Sequence, residues 1–353
     1  MSDHHVQPEA DTVNQDRIVV ASKSRQVNSL TGVQILASGC YAPENVIANE
    51  ALAELGYDAD WIIQRTGIQS RCRAGEDQAC SDIAYEAARR CLENGKINVS
   101  DIDLILLATI TPDQPTPSTA CHVQRMLGSN APAMDLGAAC SGFMYALVTG
   151  MQFIKTGTYQ RVLIIGADLM SRTVNPADTK TFPLFGDGAG AVVIGPGSDE
   201  QGFVSYTLGA DGHGAELLEQ PAGGTRCPAT AETIAQNLQY LQMDGRSVFK
   251  WAIRTLSDSV NQVLDAASLT ADDIDLTIFH QANIRIIDAA ANDLGLPSDK
   301  VFVNLDKYGN TSAASIPLAL AEAVEQQLVT SGQNLLISGF GAGLAWGAGV
   351  WRW

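Results

Sequence analysis

From Gly32 to Trp353 the apolar positions fall into short unbroken runs, separated by stretches with helical spacing, whereas residues 1–29 are polar and without period. VQILASGCYAP predicts a strand ending in a turn at Pro43. DIDLILLATITP, from Asp101, and RVLIIGAD, from Arg161, are continuous apolar runs of the kind a strand shows when both its faces are covered. ANEALAELG and DADWIIQRTG predict short helical pieces; in the second, Trp61 and Arg65 lie four apart and share a face. SDIAYEAARRCLENG predicts a helix with Ser81 as N-cap and Gly95 as stop, and STACHVQRMLG another from Ser118. The run from Ala131 to Leu136 predicts the end of a buried strand. Small residues then turn the corner into a helix from about Ser141 to Lys155, whose first charged side chain is Lys155. A helix apolar on nearly every face is buried on every side.

The second half repeats these elements. DIDLTIFHQ at Asp273 follows DIDLILLAT at Asp101 by 172 residues, Leu335 follows Leu163 by 172, and Ser312 falls opposite Cys140 at the same offset. FGAGLAWGAGV at Phe340 follows FGDGAGAVVI at Phe185 by 155, which assigns extra sequence to the first half, within or near the polar loop 170–184. Two copies of a β-α-β-α-β-β unit, each with one fully apolar helix, predict a duplicated layered α/β fold: a mobile tail 1–29, a first half 30–200 and a second half 201–353. The G-x-G-x-G at Gly186 precedes no helix, so a dinucleotide fingerprint fails on context.

Composition narrows the chemistry. The chain has 353 residues and a net charge of −17, which argues against nucleic acid and against an anionic membrane surface as partners. No apolar stretch reaches the roughly 18 residues of a transmembrane helix, and the polar start MSDHHVQPEA is no signal peptide. Seven scattered cysteines (40, 72, 80, 91, 121, 140, 227) without a C-x-x-C pair predict neither a disulfide framework nor a zinc site. They fit a reducing cytoplasm.

Cys140 stands where a tight turn enters the apolar helix, where free N–H groups and the helix dipole favour a thiolate. A small inert core cysteine is the alternative. If the halves are related by a pseudo-twofold axis, three groups converge at strand ends: Cys140, His280 after DLTIF, and Asn310 in NLDKYGNTSAAS. Together they make a nucleophile and two hydrogen-bonding groups. Singly, His280 reads as a satisfied core residue and Asn310 as a cap. The order Cys, His, Asn also occurs in papain-like proteases, but the local C-G-S-C-W signature is missing.

AACSGFMYAL, FHQANIRII, KYGNTSAASIPLAL and FGAGLAWGAGVWRW, together with WIIQRTGI and FGDGAGA, resemble β-ketoacyl-acyl-carrier-protein synthase III of the thiolase superfamily, from about Gly32 to Trp353. The resemblance implies a thiolase-like α-β-α-β-α fold and a homodimer with no cofactor and no metal. It also implies a decarboxylative condensation of an acyl-CoA with malonyl-acyl-carrier protein, initiating fatty acid synthesis. By the same resemblance Cys140 is the acylated nucleophile, Cys140 and Ala342 supply the oxyanion-hole N–H groups, and His280 and Asn310 hold the enolate oxygen. Elongating synthases carry a second His where Asn310 stands, and degradative thiolases need a second Cys beyond Cys227. The synthase that makes hydroxymethylglutaryl-CoA uses a Glu with no matching motif here, and chalcone-type synthases lack the WIIQRTGI and GNTSAAS wording. A polyketide starter synthase or acyltransferase with the same triad, and a non-catalytic acyl-CoA-binding protein, remain alternatives.

Further positions come from the resemblance alone. Trp61 would stack on adenine, Arg65 lie near the CoA phosphates and Asn283 touch the pantetheine arm. Lys250 and Arg285 would rim an entrance for an acidic carrier protein. An Arg of related enzymes is replaced by Thr179 beside Lys180, which attracts phosphate without the bidentate fork. Phe340 and Thr116 would shape the acyl pocket, Thr116 from the partner subunit, where a small residue in place of a bulky aromatic would admit primers longer than acetyl.

Overall fold

The computed structural model describes residues 26–353; most of the expected tail therefore lies outside the described residues. Two five-stranded sheets face each other. The first runs in the order Val33–Tyr41, Asp187–Pro196, Val162–Leu169, Leu104–Ala108, Ala133–Leu136. The second runs Asn28–Thr31, Gly202–Ala210, Ala345–Arg352, Asn334–Gly341, Leu276–Phe279. Where the first sheet has Ala133–Leu136, the second keeps a single parallel bridge between Thr277 and Val301. Asn28–Thr31 belongs to the second sheet, so chain expected in the tail and first half crosses to the other one.

Between the sheets lie the two central helices, Gly142–Lys155 and Ser315–Glu325. Side-chain alternation explains the unbroken apolar runs. Leu104 and Leu106 point into the central layer with Phe143, Met144 and Leu147, while Ile105 and Leu107 point outward to the helices Cys80–Gly95 and Thr119–Leu127. The second sheet does the same, with Leu335 and Ile337 inward and Leu336 outward toward Gly245–Ala267 and Ile284–Leu294. Each fully buried Phe, Met or Leu of the central layer contributes about 1.5–3 kcal/mol. The result is the α-β-α-β-α arrangement the duplication predicts. Among the described residues no helix is long and apolar enough to cross a membrane, and no cluster of His, Cys, Asp and Glu suits a metal ion.

Several sequence expectations need correction. Ala133–Leu136 is the edge of its sheet, not a buried strand, and Met134 is 40 % exposed. Ser81 is not the cap of its helix: Cys80–Gly95 starts after Ala79, whose N–H is accepted by Asp82, and the Ser81 N–H donates to Asp113. The final strands of the two halves, Asp187–Pro196 and Ala345–Arg352, are 158 apart in register, not 155, because Leu169 pairs with Asp187 and Gly341 with Ala345. The connection after Leu169 is thus long where its counterpart after Gly341 is a tight turn. The central helices start 173 apart, one residue more than their strands: Ala139 (φ 46°) and Ser312 (φ 53°) are the left-handed residues of the two entry turns. Cys140 therefore corresponds to Ala313 rather than Ser312.

Candidate active site

Strand ends deliver the chemistry. Leu276–Phe279 ends at His280, Asn334–Gly341 runs on into Ala342, and Ala133–Leu136 leads through a small-residue turn to Cys140. That turn holds Ala139 at positive φ, a strained conformation for a residue with a Cβ. Cys140, His280, Asn310, Phe340, Gly341 and Ala342 line one pocket. Most of its remaining lining is apolar, with Met170, Leu184, Phe185, Leu241 and Trp251 among it.

Gly341 is required by close approach. A Cβ there would stand 2.7 Å from the Cys140 nitrogen and 3.0 Å from its Cβ. The end of the strand Asn334–Gly341 thus lies directly on the Cys140 turn of the other half. Among the described residues neither the Cys140 N–H nor the Ala342 N–H makes a turn or loop bond, and both residues line the pocket.

Burial decides the charge states. Cys140 is enclosed, and desolvation pushes its thiol up to about 12, against the hydrogen bond to Ser312 Oγ at 3.5 Å. The thiolate expected from the helix start is outweighed in the unliganded site. His280 is 1 % exposed, and desolvation lowers its pKa to about 3, so the ring is neutral at physiological pH. Its Nδ1 lies 2.6 Å from Ser315 Oγ, which accepts from the Gln281 N–H at 3.4 Å. The Ser315 hydroxyl has Nδ1 as its one acceptor among the described residues. The buried hydroxyl is satisfied only by donating there, which leaves the proton of the neutral ring on Nε2. Phe340 holds the ring edge-on, with centroids 5.2 Å apart, and packs in turn on Trp251.

Asn310 is oriented by both halves. Its Oδ1 accepts from the Ser312 N–H at 2.9 Å, which leaves the amide NH2 as the free end. Its N–H donates to the Leu184 carbonyl at 2.8 Å, and its carbonyl accepts from the Gly186 N–H at 3.1 Å. The long connection of the first half therefore clasps the Asn310 loop of the second.

The outer positions divide. Trp61 is 46 % exposed, with the Arg65 guanidinium 5.8 Å over its ring, so Trp61 is not a core residue. Asn283 lines the pocket mouth while capping Ile284–Leu294 and donating to the Arg65 carbonyl at 3.2 Å. Lys250 and Arg285 are exposed, and Arg285 sits 5.6 Å over Phe249, another lining residue, which places it at the mouth. Lys180 is exposed and lies outside the pocket lining, its N–H on Asp178. Thr116 is exposed and also outside the lining.

Sequence reasoning missed Ser315, Gly341, the apolar walls, and Arg246 and Arg254, which extend the exposed face of Lys250 at helical spacing. The four-residue spacing from Lys250 was a legible signal for the two arginines. Nothing local marks Ser315 or Gly341, because their partners lie 35 and more than 200 residues away.

Profiles described as 3-oxoacyl-[acyl-carrier-protein (ACP)] synthase III match residues 134–212, and its C-terminal counterpart matches 264–353. A protein of Rhodopirellula baltica named beta-ketoacyl-[acyl-carrier-protein] synthase III is 55 % identical over 345 residues, covering 93 % of this chain and 100 % of that one. One of the same name from Caldanaerobacter subterraneus is 47 % identical, covering 90 % and 97 %. The 3-oxoacyl-[acyl-carrier-protein] synthase III structure from Aquifex aeolicus superposes with a TM-score of 0.85 at 41 % identity, over 91 % of this chain and 100 % of that one. The priming β-ketosynthase of the R1128 polyketide pathway gives 0.84 at 32 %, over 93 % and 98 %.

Proposed function

Since this chain belongs to the β-ketoacyl-[acyl-carrier-protein] synthase III family, the condensing acyltransferases that initiate fatty acid synthesis, we propose that Cys140, His280 and Asn310 divide its two half-reactions between them. In the first, Cys140 Sγ attacks the thioester carbonyl of an acyl-CoA. The oxyanion is received by the Cys140 and Ala342 N–H groups, each such donor contributing about 3 kcal/mol at the transition state. CoA leaves carrying the thiol proton, and the acyl group stays on sulfur. A thiol held near 12 makes attack and proton loss to the leaving thiolate a coupled event.

In the second half-reaction malonyl-carrier protein loses CO2. The enolate oxygen is held by His280 Nε2–H and the Asn310 amide, and the enolate carbon attacks the acyl-cysteine. Cys140 leaves as thiolate and takes a proton from solvent. The observation that carries this reading is the neutral, Ser315-tethered His280: an imidazolium would be an acid beside a carbanion, whereas a neutral donor stabilises it without quenching it. Trp61, Arg65 and Asn283 hold the CoA nucleotide and pantetheine, with Lys180 reaching phosphate. Lys250 and Arg285, with Arg246 and Arg254 on the same helix, attract an acidic carrier protein to the mouth of an otherwise anionic enzyme. Assembly as a homodimer in the cytoplasm, with the partner subunit's Thr116 closing the acyl pocket beside Phe340, belongs to the same proposal. So does acceptance of primers longer than acetyl.

Intact mass after incubation with acetyl-, isobutyryl- and octanoyl-CoA tests it: acyl adducts absent from Cys140→Ala, cleared by malonyl-carrier protein with CO2 release. No adduct with any of the three would overturn it. The R1128 likeness supports a second reading, polyketide priming. Clearance by a polyketide carrier but not by a fatty acid carrier would select it.

A further inference from the structure

The two central helices begin with the same turn, and only one of the two turns is open. Ala139 and Ser312 are the left-handed residues of these turns, so the N–H of Ala313 corresponds to that of Cys140. In the first turn Cys140 lines the pocket, and among the described residues its N–H makes no turn or loop bond. In the second it is already taken, donating to Asp168 Oδ2 at 3.0 Å. Asp168 comes from Val162–Leu169; the residue at its place in Asn334–Gly341 is Phe340, which offers no acceptor. The first half thus fills its sister's anion-binding turn with a carboxylate, while the second half leaves the first half's turn free.

Asp168 is fully buried, and the Ser312 hydroxyl is among its hydrogen-bond partners. Oδ1 accepts from Thr109 Oγ1 at 2.9 Å, the Ile110 N–H at 2.8 Å, the Thr111 N–H at 3.2 Å and Thr111 Oγ1 at 2.9 Å. Burial raises its pKa, against the backbone N–H groups of Ile110 and Ala313 and the hydroxyls of Ser312 and Thr111, which favour the charged form. The residue preceding Ala313 is Ser312, whose N–H fixes the Asn310 amide and whose Oγ touches Cys140 Sγ.

We propose that Asp168 is a positioning residue of the condensation step: by filling the second half's copy of the anion-binding turn it locks the Asn310 amide toward the enolate. The proposal rests on the roles assigned to Cys140, His280 and Asn310 above.

Asp168→Asn preserves shape. Its amide oxygen serves the Oδ1 donors, and its NH2 then meets the Ala313 N–H donor to donor, so that bond is lost. Two rates are compared with wild type: acylation of Cys140 by acyl-CoA, read by mass, and CO2 release from malonyl-carrier protein per acylated enzyme. Wild type that fails to acylate would undo the functional assignment itself, independently of Asp168. With acylation intact in wild type, the variant is expected to release CO2 about tenfold more slowly or worse, while acylating within about threefold of normal. An equal fall in both rates, or no fall in CO2 release, overturns the proposal. Should Asp168→Asn fail to fold, Thr111→Val removes one donor from Oδ1 and the acceptor of the Leu169 N–H, which loosens the carboxylate that holds the Ala313 N–H. It is expected to shift the ratio of the two rates the same way by about two- to fivefold, and an unchanged ratio overturns the proposal.

Discussion

Ser315 Oγ and His280 Nδ1 are 2.6 Å apart, one on the first turn of the second central helix and the other just past the end of its neighbouring strand. Removing the hydroxyl in Ser315→Ala frees Nδ1 to hold the proton, so the ring stops presenting Nε2–H reliably. Condensation is expected to slow roughly ten- to a hundredfold with acylation of Cys140 largely kept, at a stability cost of about 1 kcal/mol. Steady-state rates beside single-turnover acylation would check this; equal loss in both steps would contradict it.

His280 also predicts a pH dependence. Its folded pKa, about 3, lies below the unfolded value near 6.5, so between these values the unfolded chain binds a proton the folded one refuses. The contribution is complete above about pH 6.5 and is lost as pH falls toward 3, by up to about 1.4 kcal/mol per pH unit. Denaturant midpoints of wild type should fall between pH 6.5 and 4.5 more steeply than those of His280→Gln. Parallel curves would mean the ring is not the group responsible.

Cys140 is expected to react slowly as a free thiol. With desolvation holding it near 12, alkylation by iodoacetamide should keep rising through pH 9 and stay slower than for an exposed cysteine. A plateau below pH 8 would show that the helix terminus wins over burial after all.

Gly341→Ala forces a Cβ to within 2.7 Å of the Cys140 nitrogen. The turn must shift, which blocks the oxyanion donors. Expected outcomes are a loss of kcat/KM of about a hundredfold and a destabilisation of about 1–3 kcal/mol. Near-normal activity would mean that the Cys140 N–H is not used.

The sequence by itself determined the layered, duplicated architecture, because strands buried on both faces and helices apolar all round leave a strong signal in composition and spacing, as DIDLILLAT and GFMYALVTG show. That Cys140, His280 and Asn310 would meet was legible from that repeat and from the wording around them, and the three do line one pocket. What only the tertiary structure decided are the quantities that depend on approach across the pseudo-axis. Desolvation, not the helix terminus, sets the charge of Cys140. Ser315 chooses the proton-bearing nitrogen of His280. The loop after Leu169 crosses to hold Asn310, and Gly341 lies on the Cys140 nitrogen. Each of these joins residues distant in the chain through contacts of 2.6–3.5 Å or closer packing, and a periodicity carries no information about such distances. Even the one-residue slip between the 172 spacing of the strands and the 173 spacing of the helix turns became visible only where Ala139 and Ser312 adopt the same backbone conformation. That equivalence pairs Cys140 with Ala313, and so exposes the carboxylate of Asp168 in the sister turn.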